Sequence, residues 1–170
     1  IAKAKWFNEH YLRGSSQEQL VSYLQQDAQA AGVAIPNDKA AAIVALLRER
    51  VTFPGDFWRD SQFLHQAPSD FDSEVAAKKW NTDAVTLLQA YAGALESGVA
   101  TPFDGTAAKA LLESSAEASG IKLGKVMQAV RLAVTGLGAG PDLMEVFAIL
   151  GPQEVAKRIR FALDTLAIVD

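Results

Sequence analysis

Apolar residues recur at intervals of three and four along nearly the whole chain, and no stretch alternates apolar and polar positions between turn residues for long enough to make a half-buried strand. The pattern predicts an all-α protein. Ser15 followed by Glu18 reads as a capping box ahead of Leu20, Val21, Leu24 and Ala28, with Gly32 as the stop. A second helix is expected from Asp38 to Arg50, with Ile43, Val44 and Leu47 on its inner face and Pro54-Gly55 beyond it. Arg48 and Arg50 fall at its C-terminal end, where the helix dipole alone favours a cation. The aromatic-rich connection that follows (Phe53, Phe57, Trp58, Phe63, Leu64, Phe71) predicts core between two helical lobes rather than a platform for stacking bases.

Further on, Thr82 to Gly98 and Thr106 to Gly120 read as structural helices, the first capped by Asn81 or Thr82. Leu123, Val126, Met127, Val130 and Val134 then share one helical face, which leaves Lys122, Lys125 and Arg131 off the stripe and able to reach a partner. Gly136, Gly138 and Gly140 unwind that helix, and Pro141 reads as a first-turn proline. Gly151-Pro152 repeats the device before a last helix with Val155, Ile159, Leu163 and Leu166 as its stripe. A boundary near Pro102-Phe103 would separate residues 1–101 from a compact C-terminal lobe.

Composition narrows the function classes. With 170 residues, 49% of them apolar, the chain can bury one sizeable core or two small helical ones. It has no cysteine, no signal peptide and no 18-residue apolar run, so disulfides, thiolate metal sites and a membrane role drop out, and a soluble cytosolic protein is expected. It starts at Ile1 inside a helical pattern and without methionine, as expected of a piece of a longer protein. A net charge of -4 argues against indiscriminate nucleic-acid binding. Between Ser119 and Phe161, however, six Lys/Arg (Lys122, Lys125, Arg131, Lys157, Arg158, Arg160) face three acids (Asp142, Glu145, Glu154). A locally basic lobe on an acidic body can attract phosphate in one place only.

Catalytic chemistry is hard to assemble. His10 and His65 lack a partner at metal-ligand spacing and read as structural, and no carboxylate pair stands out. Thr135-Gly-Leu-Gly-Ala-Gly-Pro141 spaces its glycines as G-x-G-x-G after a helix, so it is a turn and not a dinucleotide fingerprint. Its glycines could still admit a nucleic-acid backbone, and the next helix start could offer free N–H groups.

Three consecutive words, KLGKVMQAVR-x-A-x-TG, GPDLMEV and ILG-x-x-E-V-x-x-RI, together with the opening KAKWFNEHYLR, resemble the C-terminal part of bacterial glutamyl-tRNA synthetases. The opening is similar to the W-x-N-x-x-Y-[IL] helix that follows the KMSKS loop in that family. The resemblance implies an all-α anticodon-binding region of two packed helical lobes: residues 1–13 a remnant of the stem-contact region, 14–101 a first lobe and 102–170 a second. It implies tRNA(Glu) as partner, not DNA and not a membrane, and a monomeric, cytoplasmic protein. The HIGH and KMSKS motifs are absent, so the region would bind without catalysing and would need no cofactor, whereas the whole enzyme would use ATP and magnesium. The alternative reading is a helical protein-interaction scaffold in a synthetase assembly or a diverged paralogue.

Residue by residue, the family's anticodon contacts fall on Arg131, in the L-R-x-A-x-TG word, and on Leu143, after the Gly-Pro turn. A threonine that some members place before the proline is Gly140 here, and a further family arginine falls near Glu113. Lys122 and Lys125 are candidates for phosphate. Arg50 matches the arginine that discriminating members set against the third anticodon base, cytosine for glutamate and guanine for glutamine. An unpaired cytosine offers O2 and N3 acceptors to a guanidinium, while the pairing edge of guanine turns donors toward it.

Overall fold

The computed structural model describes residues 1–169, and among them the chain forms eleven α-helices and no strand. It divides into two compact units, Ile1–His65 and a second that begins at Gln66. The position expected as a boundary, Pro102-Phe103, lies inside the second unit, in the link between two helices that pack together.

The first unit holds α1 (Ala2–Gly14), α2 (Gln17–Ala30), α3 (Asn37–Leu47), α4 (Asp56–Asp60) and α5 (Gln62–His65). The capping box lies one residue later than the sequence pattern placed it. Ser16 Oγ accepts from the Gln19 N–H at 3.2 Å and Gln19 Oε1 accepts from the Ser16 N–H at 3.1 Å. Ser15 instead ends α1, donating from its hydroxyl to the Tyr11 carbonyl. Leu20, Val21, Leu24 and Ala28 of α2 meet Ala40, Ile43, Val44 and Leu47 of α3, and Phe57 of α4 and Leu64 of α5 complete this core. The aromatic connection is thus two short helices that bury Phe57, whereas Phe53 stays 47% exposed. Helix α1 buries Leu12 and leaves Trp6, Phe7 and Tyr11 largely exposed, with Trp6 stacked on His10 at 5.3 Å.

The second unit holds α6 (Ser73–Lys79), α7 (Thr82–Glu96), α8 (Gly105–Ala118), α9 (Leu123–Thr135), α10 (Leu143–Leu150) and α11 (Pro152–Thr165). Asn81 caps α7 and Asp104 caps α8 through their side-chain oxygens, so α8 starts one residue before the expected Thr106. Helix α7 packs along α11 and α9 packs between α6 and α11, while α8 pairs with α10. Tyr91, buried in α7, stacks on Phe147 of α10 at 6.0 Å and donates to the Ala108 carbonyl of α8 at 3.2 Å. Pro152 opens α11 as its first residue, as its position after Gly151 predicts. Pro141 lies outside its helix instead, because Asp142 is the N-cap of α10.

Two of the basic residues counted toward a cationic lobe are spent inside this unit. Arg158 is 3% exposed; its Nε pairs with Glu154 at 2.9 Å and its Nη1 donates to the Val134 carbonyl, at the end of α9, at 3.1 Å. Arg160 grips Glu96 of α7 with two bonds of 2.9 and 2.8 Å, which holds the Glu96 carboxyl below its usual range. The ILG-x-x-E-V-x-x-RI word is therefore a packing signature: its Glu and Arg form an ion pair one turn apart that seals a neighbouring helix.

Replacing Arg158 by alanine should cost about 1–3 kcal/mol, since it strands the buried Val134 carbonyl while the partly exposed Glu154 is taken up by water; urea unfolding monitored by circular dichroism would measure it. A second expectation concerns His65, whose half-buried ring hydrogen-bonds Ser61 at 3.1 Å and stacks on Trp58 at 5.1 Å. Burial first, then the Lys39 ammonium, hold its pKa below the ordinary 6.5. The unfolded chain then takes up the proton first, so this contribution is complete above about pH 6.5 and is lost as pH falls through the folded value. The urea midpoint of the first unit should drop from about pH 7 to about pH 5, and His65→Gln should flatten that drop.

Candidate nucleic-acid interface

Arg50 sits in the turn after α3, which ends at Leu47, three residues short of the expected limit. Its backbone N–H donates to the Leu47 carbonyl at 2.8 Å, while its side chain is exposed and makes no hydrogen bond or ion pair among the described residues. The neighbouring Arg48 is differently employed. Its Nη2 donates to the carbonyls of Arg13 and Ser15, at 2.8 and 2.7 Å, and so closes the end of α1 rather than its own helix. Of two arginines that sequence could not separate, one is structural and one faces solvent.

Arg131 leaves the middle of α9 half-buried, and the structure brings it to Gly140. A β-carbon at Gly140 would stand 3.0 Å from the Arg131 Nη1. The missing side chain of Gly140 is what lets the guanidinium lie there. A threonine at this position would require Arg131 to move.

The other glycines of the turn are taken up by the protein itself. Gly136 ends α9 with φ +76°, a conformation that costs any L side chain about 1–2 kcal/mol, and a β-carbon on it would meet the Asp70 carbonyl at 2.7 Å. Its carbonyl accepts from the Asp72 N–H at 2.9 Å. Gly138 faces Val75 of α6, whose Cγ2 would be 2.5 Å from a β-carbon there. The chain from Pro68 to Val75 therefore covers positions that the sequence left open to an RNA backbone. Thr135 completes the closure, since its hydroxyl donates to the Arg131 carbonyl at 2.8 Å and accepts from the Leu137 N–H at 3.1 Å.

The start of α10 departs from expectation in the same sense. One carboxylate oxygen of Asp142 accepts from the Met144 and Glu145 N–H groups, at 2.9 and 3.2 Å, so these donors are not free for a phosphate. A fixed negative charge stands where an anion-binding helix end was conceivable. The signal was in the sequence, because D-x-x-E ahead of an apolar run is an N-cap pattern. Leu143 is 4% exposed, its side chain inside the core beside the Val146 and Phe147 positions of α10.

Lys122 and Lys125 are exposed at the start of α9. Lys157 is exposed on α11. Glu113 is exposed on α8 and pairs with Lys109 at 3.7 Å. With Arg158 and Arg160 neutralised internally, the outward basic charge of the second unit is narrower than the sequence count implied. A cleft of 390 Å³ at the end of α7 and the start of α11, lined by Leu95, Glu96, Val99, Gln153, Ala156 and Lys157 among others, includes none of the anticodon candidates. Among the described residues no group of His, Asp or Glu is gathered to hold a metal ion, and no helix is long and apolar enough to cross a membrane.

This arrangement recurs in known proteins. The chain is 42% identical over 167 residues to the glutamate–tRNA ligase of Cytophaga hutchinsonii, covering 98% of this chain and 32% of that protein. It is 35% identical over 163 residues to that of Amoebophilus asiaticus, covering 96% of this chain and 31% of that protein. A crystal structure of the glutamate tRNA ligase of Elizabethkingia meningosepticum in complex with its amino acid superposes with a TM-score of 0.90 at 33% identity, over 98% of this chain and 32% of that one. The glutamate–tRNA synthetase of Elizabethkingia anophelis gives 0.87 at 32% identity, over 97% and 32%. The chain thus spans about a third of the length of these relatives. Residues 16–163 match the family described as the anticodon binding domain, and to that family the chain belongs.

Proposed function

We propose that this domain reads the anticodon of tRNA(Glu) on behalf of a glutamate–tRNA ligase, and that Arg50 selects cytosine at the third anticodon position. The observation that carries the reading is the contrast between the two arginines at the end of α3. Arg48 is committed to two backbone carbonyls, while Arg50 is exposed and has all its donors available. A guanidinium in that state can donate to O2 and N3 of a splayed cytosine, whereas guanine would oppose it with N1–H and N2–H. Leaving those donors unpaired costs about 1–3 kcal/mol, or roughly ten- to a hundredfold in binding.

In the second unit, Arg131 supplies a further cation, held in place by the room at Gly140. Lys122 and Lys125 contribute phosphate attraction without sequence preference. The role of Leu143 shifts on this reading: its buried side chain fixes the first turn of α10, and any contact with a base is made by backbone at that turn. The acids Asp142 and Glu113 keep the surface from acting as a general polyanion trap. Activation of glutamate with ATP and magnesium, and its transfer to the tRNA, belong on this proposal to the remaining two-thirds of a monomeric cytoplasmic enzyme. Gripping the anticodon orients the acceptor end there.

Two measurements test the proposal. Arg50→Gln should shrink the preference for tRNA(Glu) over tRNA(Gln) by about tenfold or more in filter binding or calorimetry; an unchanged ratio defeats the assignment. Lys125→Ala should weaken both tRNAs alike and lower the slope of log affinity against log salt by about 1. A slope that does not move removes Lys125 from the interface.

A further inference from the structure

We infer that Arg48 and Asp56 are positioning residues for Arg50, an assignment that rests on the anticodon reading above and adds the means by which the turn is made selective. An exposed arginine on a loose loop samples many rotamers and many backbone states, and a base edge that must order all of them gains little affinity or discrimination. The turn that carries Arg50 is not loose. On its N-terminal side Arg48 ties it to the end of α1 through bonds of 2.8 and 2.7 Å to the Arg13 and Ser15 carbonyls.

On its C-terminal side Asp56, 6% exposed, accepts from the N–H groups of Thr52 and Phe53 at 3.0 and 2.8 Å through one oxygen. The other oxygen is held by Arg59 at 2.8 Å. Between the two anchors Val51 is 6% exposed and its N–H donates to the Leu47 carbonyl, so the residue after Arg50 is pinned inward. Residues 48, 51, 52 and 53 are therefore fixed by groups outside the turn, and the side chain of Arg50 is the part left to project. Neither Arg48 nor Asp56 needs to touch RNA for this. They act by narrowing the set of positions from which the Arg50 fork is presented, and a fork in register with cytosine is out of register with guanine.

The test uses the full chain and two transcripts, tRNA(Glu) and the same tRNA with its third anticodon cytosine changed to guanine. Arg48→Met, which removes the donors to the Arg13 and Ser15 carbonyls but keeps the aliphatic stem, and Asp56→Ala should each reduce the C-over-G affinity ratio by about three- to tenfold at a temperature where circular dichroism shows the variant folded. A purely structural role would lower the unfolding midpoint and leave that ratio alone. Asp56→Asn, which retains an acceptor oxygen for Thr52 and Phe53, should keep most of the ratio. In an Arg50→Gln background neither change should alter the ratio further.

If the wild-type chain shows no C-over-G preference, or Arg50→Gln leaves it intact, the anticodon reading itself falls. If Arg50→Gln removes the preference while Arg48→Met preserves it in full, or if Arg48→Met still shifts the ratio when Arg50 is already glutamine, the positioning role is overturned. Should Asp56→Ala fail to fold, Arg48→Met alone decides.

Discussion

The C-terminal end of α9 is the constraint around which the second unit is organised. A helix end leaves carbonyls without intrahelical partners, and a buried one must find others. Here the Thr135 hydroxyl takes the Arg131 carbonyl, the Gly136 N–H takes Leu132, the buried Arg158 takes Val134, and the carbonyl of Gly136 receives the Asp72 N–H. Three parts of the chain supply these closures: the helix end itself for two of them, α11 for the third, and the start of α6 for the fourth. The same closure sets the surface, because it decides that the Gly-rich turn is filled from inside and that Arg131 emerges beside Gly140.

The first unit solves a like problem with charge. The end of α1 is closed by the Arg48 guanidinium and the turn after α3 by the Asp56 carboxylate, both through charge-assisted bonds to backbone. Bonds of this kind place a loop more firmly than an apolar contact, since they fix direction as well as distance. It is sensible chemistry for the segment proposed to present a reading side chain, and it gives two arginines separated by one residue unlike surroundings.

Much of the fold was legible because helical periodicity is a long-range signal carried by many residues. Leu20 to Ala28 and Ile43 to Leu47 buried the faces their spacing marked, and of the α9 stripe Val126, Val130 and Val134 are buried while Leu123 and Met127 stay partly exposed. Helix ends were less legible: Ser15 and Ser16 are adjacent, each is followed three residues later by Glu or Gln, and only the path of the chain decides which caps. The short helices α4, α5 and α6 escaped notice because four to seven residues are too few for a period to show. Of the candidate site, the outward placement of Lys122 and Lys125 followed from sequence, whereas only the structure separates the exposed Arg50 from the engaged Arg48. The burial of Leu143 and the internal use of Arg158 and Arg160 did not, because partners such as Val134 and Glu96 lie far off along the chain. A local charge count cannot see them.

The carboxylate at the start of α10 does two jobs with separable requirements. Holding the Met144 and Glu145 amides needs only a side-chain oxygen, which serine or asparagine would also furnish. Repelling a polyanion needs the charge. Drift among these three residue types at position 142 would therefore retune the stickiness of the domain toward nucleic acid while leaving the helix intact, an evolutionary dial that turns without touching the fold.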